Sequence, residues 1–209
     1  SVLIAANRFP KFVPMIGTAI GTVKAAKFLV IGTGVVGLQA IAAAKRLGGS
    51  VKVVDIKADA RQAADSLGAK IAGFEAPPEL AVGENGYARA LPPEWVEKER
   101  TALGPLVQEA DILILSALVP GEVAPVLVTE AILRKMKPGS VVVDVAIDQG
   151  GNCAVTEPGC ETIRHGVHVL GLWNIPGSMP VHASWLYAHN MLYYITNLFK
   201  HGLDKPDLD

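Results

Sequence analysis

Apolar and polar positions change their period repeatedly along this chain. Phe28 to Ile31 is a continuous apolar run suited to a buried strand, and from about Val35 to Leu47 the apolar residues take helical spacing until Gly48-Gly49 stops the helix. Val51 to Val54 reads as a second strand, Lys57 to Leu67 as a helix closed by Gly68, and Ala69 to Ala72 as a third short strand. Pro77-Pro78 to Pro92-Pro93, rich in Pro, Glu, Gly and Asn, is too long for an ordinary connection. Beyond it the pattern predicts a helix over Glu94 to Glu109 with Gly104-Pro105 as a candidate break, and a fourth strand over Asp111 to Leu115. A helix from Thr129 to Met136, N-capped by Thr129, follows, then the turn Lys137-Pro138-Gly139 and a fifth strand from Ser140 to Val145. Thr162 to Arg164 and Val167 to Leu170 supply one or two later strands around His165-Gly166, and a long helix runs from about His182 to Lys200. This alternation predicts an α/β fold, a doubly wound, mostly parallel sheet with flanking terminal helices, in the usual strand order 3-2-1-4-5-6. Residues 1–23 read as an N-terminal linker helix and connection, 24–178 as the sheet domain, and 179–209 as a C-terminal helix and tail.

The first strand runs straight into Gly32-Thr33-Gly34-Val35-Val36-Gly37, the GxGxxG spacing of a dinucleotide-binding βαβ unit in a Rossmann-type domain. In that motif the glycine at 32 permits the tight turn, the one at 34 leaves room for a pyrophosphate, and the one at 37 lets the helix pack close to the strand. The helix places its unpaired N–H groups and positive dipole end toward the phosphates. The second strand ends at Asp55, where a carboxylate can accept hydrogen bonds from both hydroxyls of the adenosine ribose. That favours NAD over NADP, although Lys57 and Arg61 nearby weaken the exclusion of a 2′-phosphate. The bland alternative is a glycine-rich turn in another doubly wound domain, such as a methyltransferase or flavoprotein. In the expected strand order the turn Gly32 to Gly37 faces the loop Ser116-Ala117-Leu118-Val119-Pro120-Gly121, whose small and apolar residues suit the nicotinamide end. The loop Ala146-Ile147-Asp148-Gln149-Gly150-Gly151-Asn152 belongs to the same edge.

Bulk properties narrow the classes. With 209 residues, 50% hydrophobic and 19% charged, the chain can bury a substantial core. A net charge of −1 without a basic run argues against nucleic acid. Glycines interrupt the longest uncharged run, Phe28 to Ala44, so no membrane span is expected, and Ser1-Val2-Leu3 does not look like a signal peptide. Cys153 and Cys160 with His165 and His168 fit no compact zinc pattern; no metal and no disulfide framework is expected. His182 and His189, seven apart, read as packing or helix-end residues.

A wider set of segments resembles one family. Gly21-Thr22-Val23-Lys24-Ala25-Ala26-Lys27, Gly32 to Leu47, Asn85-Gly86-Tyr87-Ala88, Ala117-Leu118-Val119-Pro120-Gly121, Met136 to Asp144, Gly150-Gly151-Asn152-Cys153 and Asn174-Ile175-Pro176 occur in this order. Together they resemble the NAD(H)-binding component of proton-translocating NAD(P) transhydrogenase, which shares its ancestry with alanine dehydrogenase. The resemblance implies that Gly32, Gly34, Val35, Val36 and Gly37 lie along the pyrophosphate of NAD, that Asp55, Ile56 and Lys57 hold the adenosine ribose, and that Ala117 and Leu118 lie near the nicotinamide. It implies that the loop carrying Gly86 and Tyr87 closes over the nucleotide. The activity it implies is hydride transfer between NADH and NADP⁺ held by a partner component, with no catalytic side chain. The implied partners are a second copy in a homodimer, the NADP-binding component and a membrane subunit, at the cytoplasmic face of an inner-membrane complex.

Two departures from the family pattern matter. The chain is expected to begin inside the helix that links two domains of the family, without the N-terminal domain that forms the other wall of the cleft, and so to be inactive alone. Leu3, Ile4, Trp185, Leu192 and Ile195 would then be apolar positions that pack on absent structure. Second, Ile147-Asp148-Gln149-Gly150-Gly151 is the alanine dehydrogenase pattern, in which the Asp takes part in catalysis. Oxidative deamination of a small amino acid is therefore an alternative, with Asp148 as its proton-transfer group, and a non-catalytic NAD-sensing module is a third reading.

Overall fold

The chain opens with helix α1 (Val2–Arg8) and an antiparallel hairpin, β1 (Ile16–Thr18) with β2 (Gly21–Val23). The hairpin is absent from the sequence-based expectation for a physical reason: none of its residues is buried, so no alternation of apolar and polar positions marks it. Next come β3 (Lys27–Ile31), α2 (Val35–Arg46), β4 (Ser50–Val54), α3 (Ala58–Ser66) and β5 (Lys70–Ile71), each within two residues of its expected bounds. Within the Pro-rich stretch lie a short α4 (Pro78–Ala81) and a bridge between Val82 and Ala88. This computed structural model describes residues 1–83, 86–202 and 205–207; Asn85 of the motif Asn85-Gly86-Tyr87-Ala88 lies outside them.

Helix α5 (Pro93–Glu109) runs through Gly104-Pro105 without a break. Proline removes one backbone hydrogen bond there, but Leu103 and Val107 on either side are fully buried, and each such burial is worth about 2 kcal/mol. After β6 (Ile112–Leu115), α6 (Glu130–Leu133) is shorter than expected, the chain tightening into three-residue turns at Lys135 and Met136 ahead of Pro138. Its N-cap is Thr129, as expected, with Oγ1 accepting from Ile132 N. Strand β7 (Val141–Asp144) leads into a 3₁₀ turn, Val145–Gln149, and the chain then forms the hairpin β8 (Glu161–Arg164) and β9 (Val167–Leu170).

The seven-stranded sheet has the order β5-β4-β3-β6-β7-β9-β8. Its first five positions are the expected 3-2-1-4-5. The sixth is taken by β9, which is parallel to β7, while β8 lies outside it as an antiparallel edge. His165 (φ 53°) and Gly166 (φ 79°) make the reversal, a hairpin that periodicity alone does not order in space. The central strands β3, β6 and β7 are buried on both faces, which is why they read as unbroken apolar runs. Ala40, Ile41 and Ala44 of α2 are buried, and Leu103 and Val107 of α5 join a core cluster with Leu29, Ile31, Leu113 and Leu115. Register aligns the carboxyl ends of the strands: Ile31 pairs with Val54 and with Leu115, and Leu115 with Asp144. The turns that begin at Gly32, Asp55, Ser116 and Val145 therefore leave the sheet side by side.

The chain divides into two compact units, Ser1–Trp173 and Asn174–Asp209. The second holds a 3₁₀ turn, Ile175–Ser178, capped by Asn174, and the helix α7 (Pro180–Leu198). No residue of α7 is buried, and Trp185, Leu192 and Ile195 are exposed. His189 Nδ1 lies 2.9 Å from Trp185 O and its ring stacks on the indole, a local contact within the helix. Among the described residues no helix is long and apolar enough to cross a membrane.

Candidate functional site

A cavity of about 630 Å³ opens at the aligned carboxyl ends of the strands of the first unit. Gly32, Gly34, Val35, Val36, Asp55, Ile56, Lys57, Tyr87, Ala117 and Leu118 all line it. Of the residues expected to hold the nucleotide, Gly37 and Gly86 do not. Gly37 lies under the turn, where an added Cβ would stand 2.1 Å from the Gly32 carbonyl oxygen. Gly86 offers its carbonyl to Lys57 Nζ at 2.8 Å.

The three glycines of the motif have separable roles. Gly32 takes a positive φ of 84°, and a Cβ there would lie 2.7 Å from the backbone of Ser116 and Ala117. The glycine turn is thus pressed against the loop after β6, as the switch-point geometry requires. Gly34 is the N-cap of α2, and a Cβ on it would meet nothing within 4 Å. The backbone there is open to a ligand. No side chain caps this helix and no acid lies in its first turn, so its leading N–H groups are available to an anion.

Asp55 stands beside the turn, but its carboxylate is already engaged. Oδ2 accepts from Thr33 N at 2.6 Å and Thr33 Oγ1 at 2.8 Å, and Oδ1 accepts from Lys57 N at 2.8 Å. The two cations read as weakening its exclusion of a 2′-phosphate are held elsewhere. Lys57 Nζ donates to Gly86 O and lies 3.2 Å from Asp59, while Arg61 Nη1 donates to the carbonyls of Asp55 and Ile56.

The opposite wall depends on residues whose role the sequence did not disclose. Asn152, fully buried, accepts from Ala117 N through Oδ1 at 3.0 Å and donates through Nδ2 to Ala117 O at 2.9 Å and Pro125 O at 2.8 Å. Its own N–H, with those of Cys153 and Ala146, donates to Asp144, a buried carboxylate at the end of β7. Burial pushes the Asp144 carboxyl up from its ordinary range, and these backbone donors pull it back. A charged residue closing an apolar strand was the one available signal. Asp148 is exposed on the 3₁₀ turn and does not line the cavity. Cys153 is buried and Cys160 exposed, and among the described residues no cluster of His, Cys, Asp and Glu could hold a metal ion.

Glu99 on α5 also lines the cavity and is only 5% exposed. It falls on the inward face with Val96, Leu103 and Val107, an acid at a core position of the helical repeat. Its carboxyl is pushed up to about 7, first by burial and then by the charge of Asp55, with Arg100 acting in the opposite direction. A carboxyl raised in the folded state contributes stability in full below its ordinary value and loses it as pH rises through the folded one. For this shift the loss is about 3 kcal/mol between pH 4.5 and above 7. Glu99→Gln is expected to flatten that slope and to leave the variant more stable than the parent at pH 8. Urea unfolding at a series of pH values reads this directly; parallel slopes for the two proteins would refute it.

The sequence matches the family described as alanine dehydrogenase/PNT, C-terminal domain, over residues 1–209. It is 43% identical over 197 residues to an NAD(P) transhydrogenase subunit alpha polypeptide of Rhodospirillum rubrum, an alignment covering 94% of this chain and 51% of that protein. With the alanine dehydrogenase of Bacillus subtilis (strain 168) the identity is 37% over 162 residues, 74% of this chain and 36% of that one. The fold is similar to the crystal structure of transhydrogenase from Sinorhizobium meliloti, with a TM-score of 0.79 and 40% identity over 94% of this chain and 52% of the other. The chain therefore spans about half the length of the transhydrogenase subunits it matches. With the whole of its length matched and its sheet in the same arrangement, this chain belongs to the alanine dehydrogenase/PNT C-terminal domain family.

Proposed function

We propose that this chain is the NAD(H)-binding region of an NAD(P) transhydrogenase alpha subunit, with residues 24–178 forming the nucleotide-binding domain. The observation that carries the reading is one cavity in which the open Gly34, the uncapped start of α2 and Asp55 stand together with the Ala117–Leu118 loop. NADH bound there would supply a hydride from its nicotinamide ring to NADP⁺ held by a partner component. The chain's own work is positional. The first turn of α2 receives the pyrophosphate, Asp55 takes the adenosine ribose, and Ala117 and Leu118 present an apolar wall to the nicotinamide. Tyr87, within the Pro-rich stretch, closes over the site and excludes water. The partners in this reading are a second copy of the chain, the NADP-binding component and a membrane subunit, at the cytoplasmic face of an inner membrane. Alanine deamination would need a proton-transfer group, and Asp148, the candidate for it, lies outside the cavity lining.

Gly34→Ala separates this site from the fold. The added methyl is unobstructed and the backbone is not strained, so the melting temperature is expected to stay within a few degrees of the parent's. Affinity for NADH in calorimetric titration is expected to fall about tenfold or more, because the methyl occupies the pyrophosphate approach. Selective binding of NADH over NADPH by the parent, together with hydride transfer that depends on the partner component in the full-length protein, is the expected pattern. Parent protein that ignores NADH, or a Gly34→Ala variant that binds it as the parent does, would remove the assignment.

A further inference from the structure

We propose that Arg100 is a positioning residue for the nicotinamide end of the nucleotide: without meeting the ligand, it pins the loop after β6 that forms the apolar wall of the cavity. This rests on the dinucleotide reading above and deepens it.

The wall has no regular structure of its own. From Ser116 to Leu127 the chain forms neither helix nor strand, and Pro120 and Pro125 have no N–H to give. Yet Leu118, Val119, Pro125 and Leu127 of this loop line the cavity. An irregular segment keeps a fixed shape when the elements around it take its backbone groups. On one side the turn after β7 does so. Ala124 N donates to Gln149 O at 2.8 Å, Leu127 N donates to Asn152 O at 2.9 Å, and Asn152 Nδ2 donates to Pro125 O at 2.8 Å. On the other side stands α5, from which Arg100 donates to Val126 O through Nε at 2.8 Å and Nη2 at 2.7 Å, a fork closed on a single carbonyl. The adjacent carbonyls Pro125 O and Val126 O are thereby held by two different elements. The stretch between Pro125 and Leu127 cannot shift without breaking charge-assisted hydrogen bonds.

The fork has a firm base. Leu103 and Val107, further along α5, are fully buried, so the helix cannot follow the loop. The remaining guanidinium nitrogen, Nη1, meets the exposed Glu97 at 3.0 Å, a surface pair of little worth. Arg100 does not itself line the cavity, so its effect on a ligand must pass through the loop. The other end of the nucleotide is held independently. The glycine turn and Asp55 are fixed by Gly32 N to Val54 O and by the two hydrogen bonds from Thr33 to Asp55, in which Arg100 has no part. Loosening the fork should therefore be felt where the nicotinamide sits and not where the adenosine does.

The test is calorimetric titration of NADH and of ADP-ribose, which keeps the adenosine and pyrophosphate but lacks the nicotinamide. It is made on the parent, Arg100→Met, Arg100→Lys and Glu97→Ala, each shown to be folded by thermal melting. Arg100→Met keeps the aliphatic stem and removes the fork, and is expected to lose about tenfold in NADH affinity while holding ADP-ribose within about twofold of the parent. The emission of bound NADH, which comes from the reduced nicotinamide, is expected to move toward that of free NADH in the same variant, a change that lost stability alone does not produce. Arg100→Lys keeps the charge beside Glu99 but offers a point donor in place of the fork, and is expected to fall between the two. It carries the comparison if Arg100→Met does not fold. Glu97→Ala leaves the contact with Val126 in place and is expected to bind both ligands as the parent does. A parent that binds NADH no more tightly than ADP-ribose, or Arg100 variants that lose both ligands equally or neither, would overturn this proposal and leave the dinucleotide reading standing. A parent that binds neither ligand would overturn both.

Discussion

Gly37→Ala is expected to leave the protein largely unfolded or severely destabilised, by about 4 kcal/mol or more. The new Cβ would lie 2.1 Å from the Gly32 carbonyl oxygen, 3.0 Å from its carbon and 3.3 Å from Ser116 Oγ. None of these can yield cheaply. Gly32 is held by its N–H to Val54 O at 2.9 Å and by Ser116 Oγ donating to its carbonyl at 2.8 Å. Relief therefore requires α2 to move away from the sheet, which uncovers Ala40, Ile41 and Ala44. Against a typical total stability of about 5–15 kcal/mol the loss is large. Urea unfolding followed by circular dichroism measures it, and the contrast with Gly34→Ala is diagnostic. The two glycines are three residues apart, yet one change should damage the fold and the other the ligand site. A Gly37→Ala variant as stable as the parent would mean that α2 does not pack closely on the glycine turn.

The second large effect is expected at Asn152. Truncation to Ala removes three hydrogen bonds at once and leaves Ala117 N, Ala117 O and Pro125 O, all part-buried, without their partner. Each buried polar group left unsatisfied costs about 1–3 kcal/mol, so Asn152→Ala is expected to lower stability by about 3 kcal/mol or more. The change should also be local. Hydrogen exchange at the Ala117 amide is expected to accelerate about a hundredfold if the loop opens by that amount, while amides of β3 change only with global stability. Since Ala117 and Leu118 line the cavity, NADH affinity should fall as well. Asn152→Asp keeps an acceptor for Ala117 N but loses both donors and places a second carboxylate beside Asp144, so it is not expected to rescue. An Ala117 amide that exchanges at the parental rate would show that the clasp does not hold the loop.

These two positions differ in how visible they are in the chain. Gly37 stands at a fixed place in a strand–turn–helix pattern, and its requirement is local: the neighbouring strand and the glycine turn are a few residues away. Asn152 clasps a loop that begins at Ser116, and nothing near either segment in the sequence announces the pairing. Glu99 lies between these extremes. Its coincidence with Val96, Leu103 and Val107 on one helical face marks it as an acid in a core position, but its companion Asp55 comes from another strand end. Lys57 and Arg61 carry the opposite lesson. By sequence they are cations beside the ribose acid, yet their side chains are turned to Gly86 O and to the backbone of Asp55 and Ile56. A charge is read from composition; the group it faces is not.

What the sequence by itself determined is the set of properties that depend on short-range periodicity and on backbone freedom. Strands β3, β6 and β7 are continuous apolar runs because both their faces are covered, helices α2 and α3 end at their own glycine stops, and Gly32 marks a turn only a residue tolerant of positive φ can make. Only the tertiary structure decided that β9 takes the sixth place with β8 antiparallel outside it, that an exposed hairpin precedes the sheet, that Glu99 lines the cavity, and that Asn152, held by Asp144, fixes the Ala117 wall of it. The physical reason is range. Periodicity reports which face of an element is buried, whereas the partner of a buried polar group comes from whatever segment the packed sheet brings alongside it.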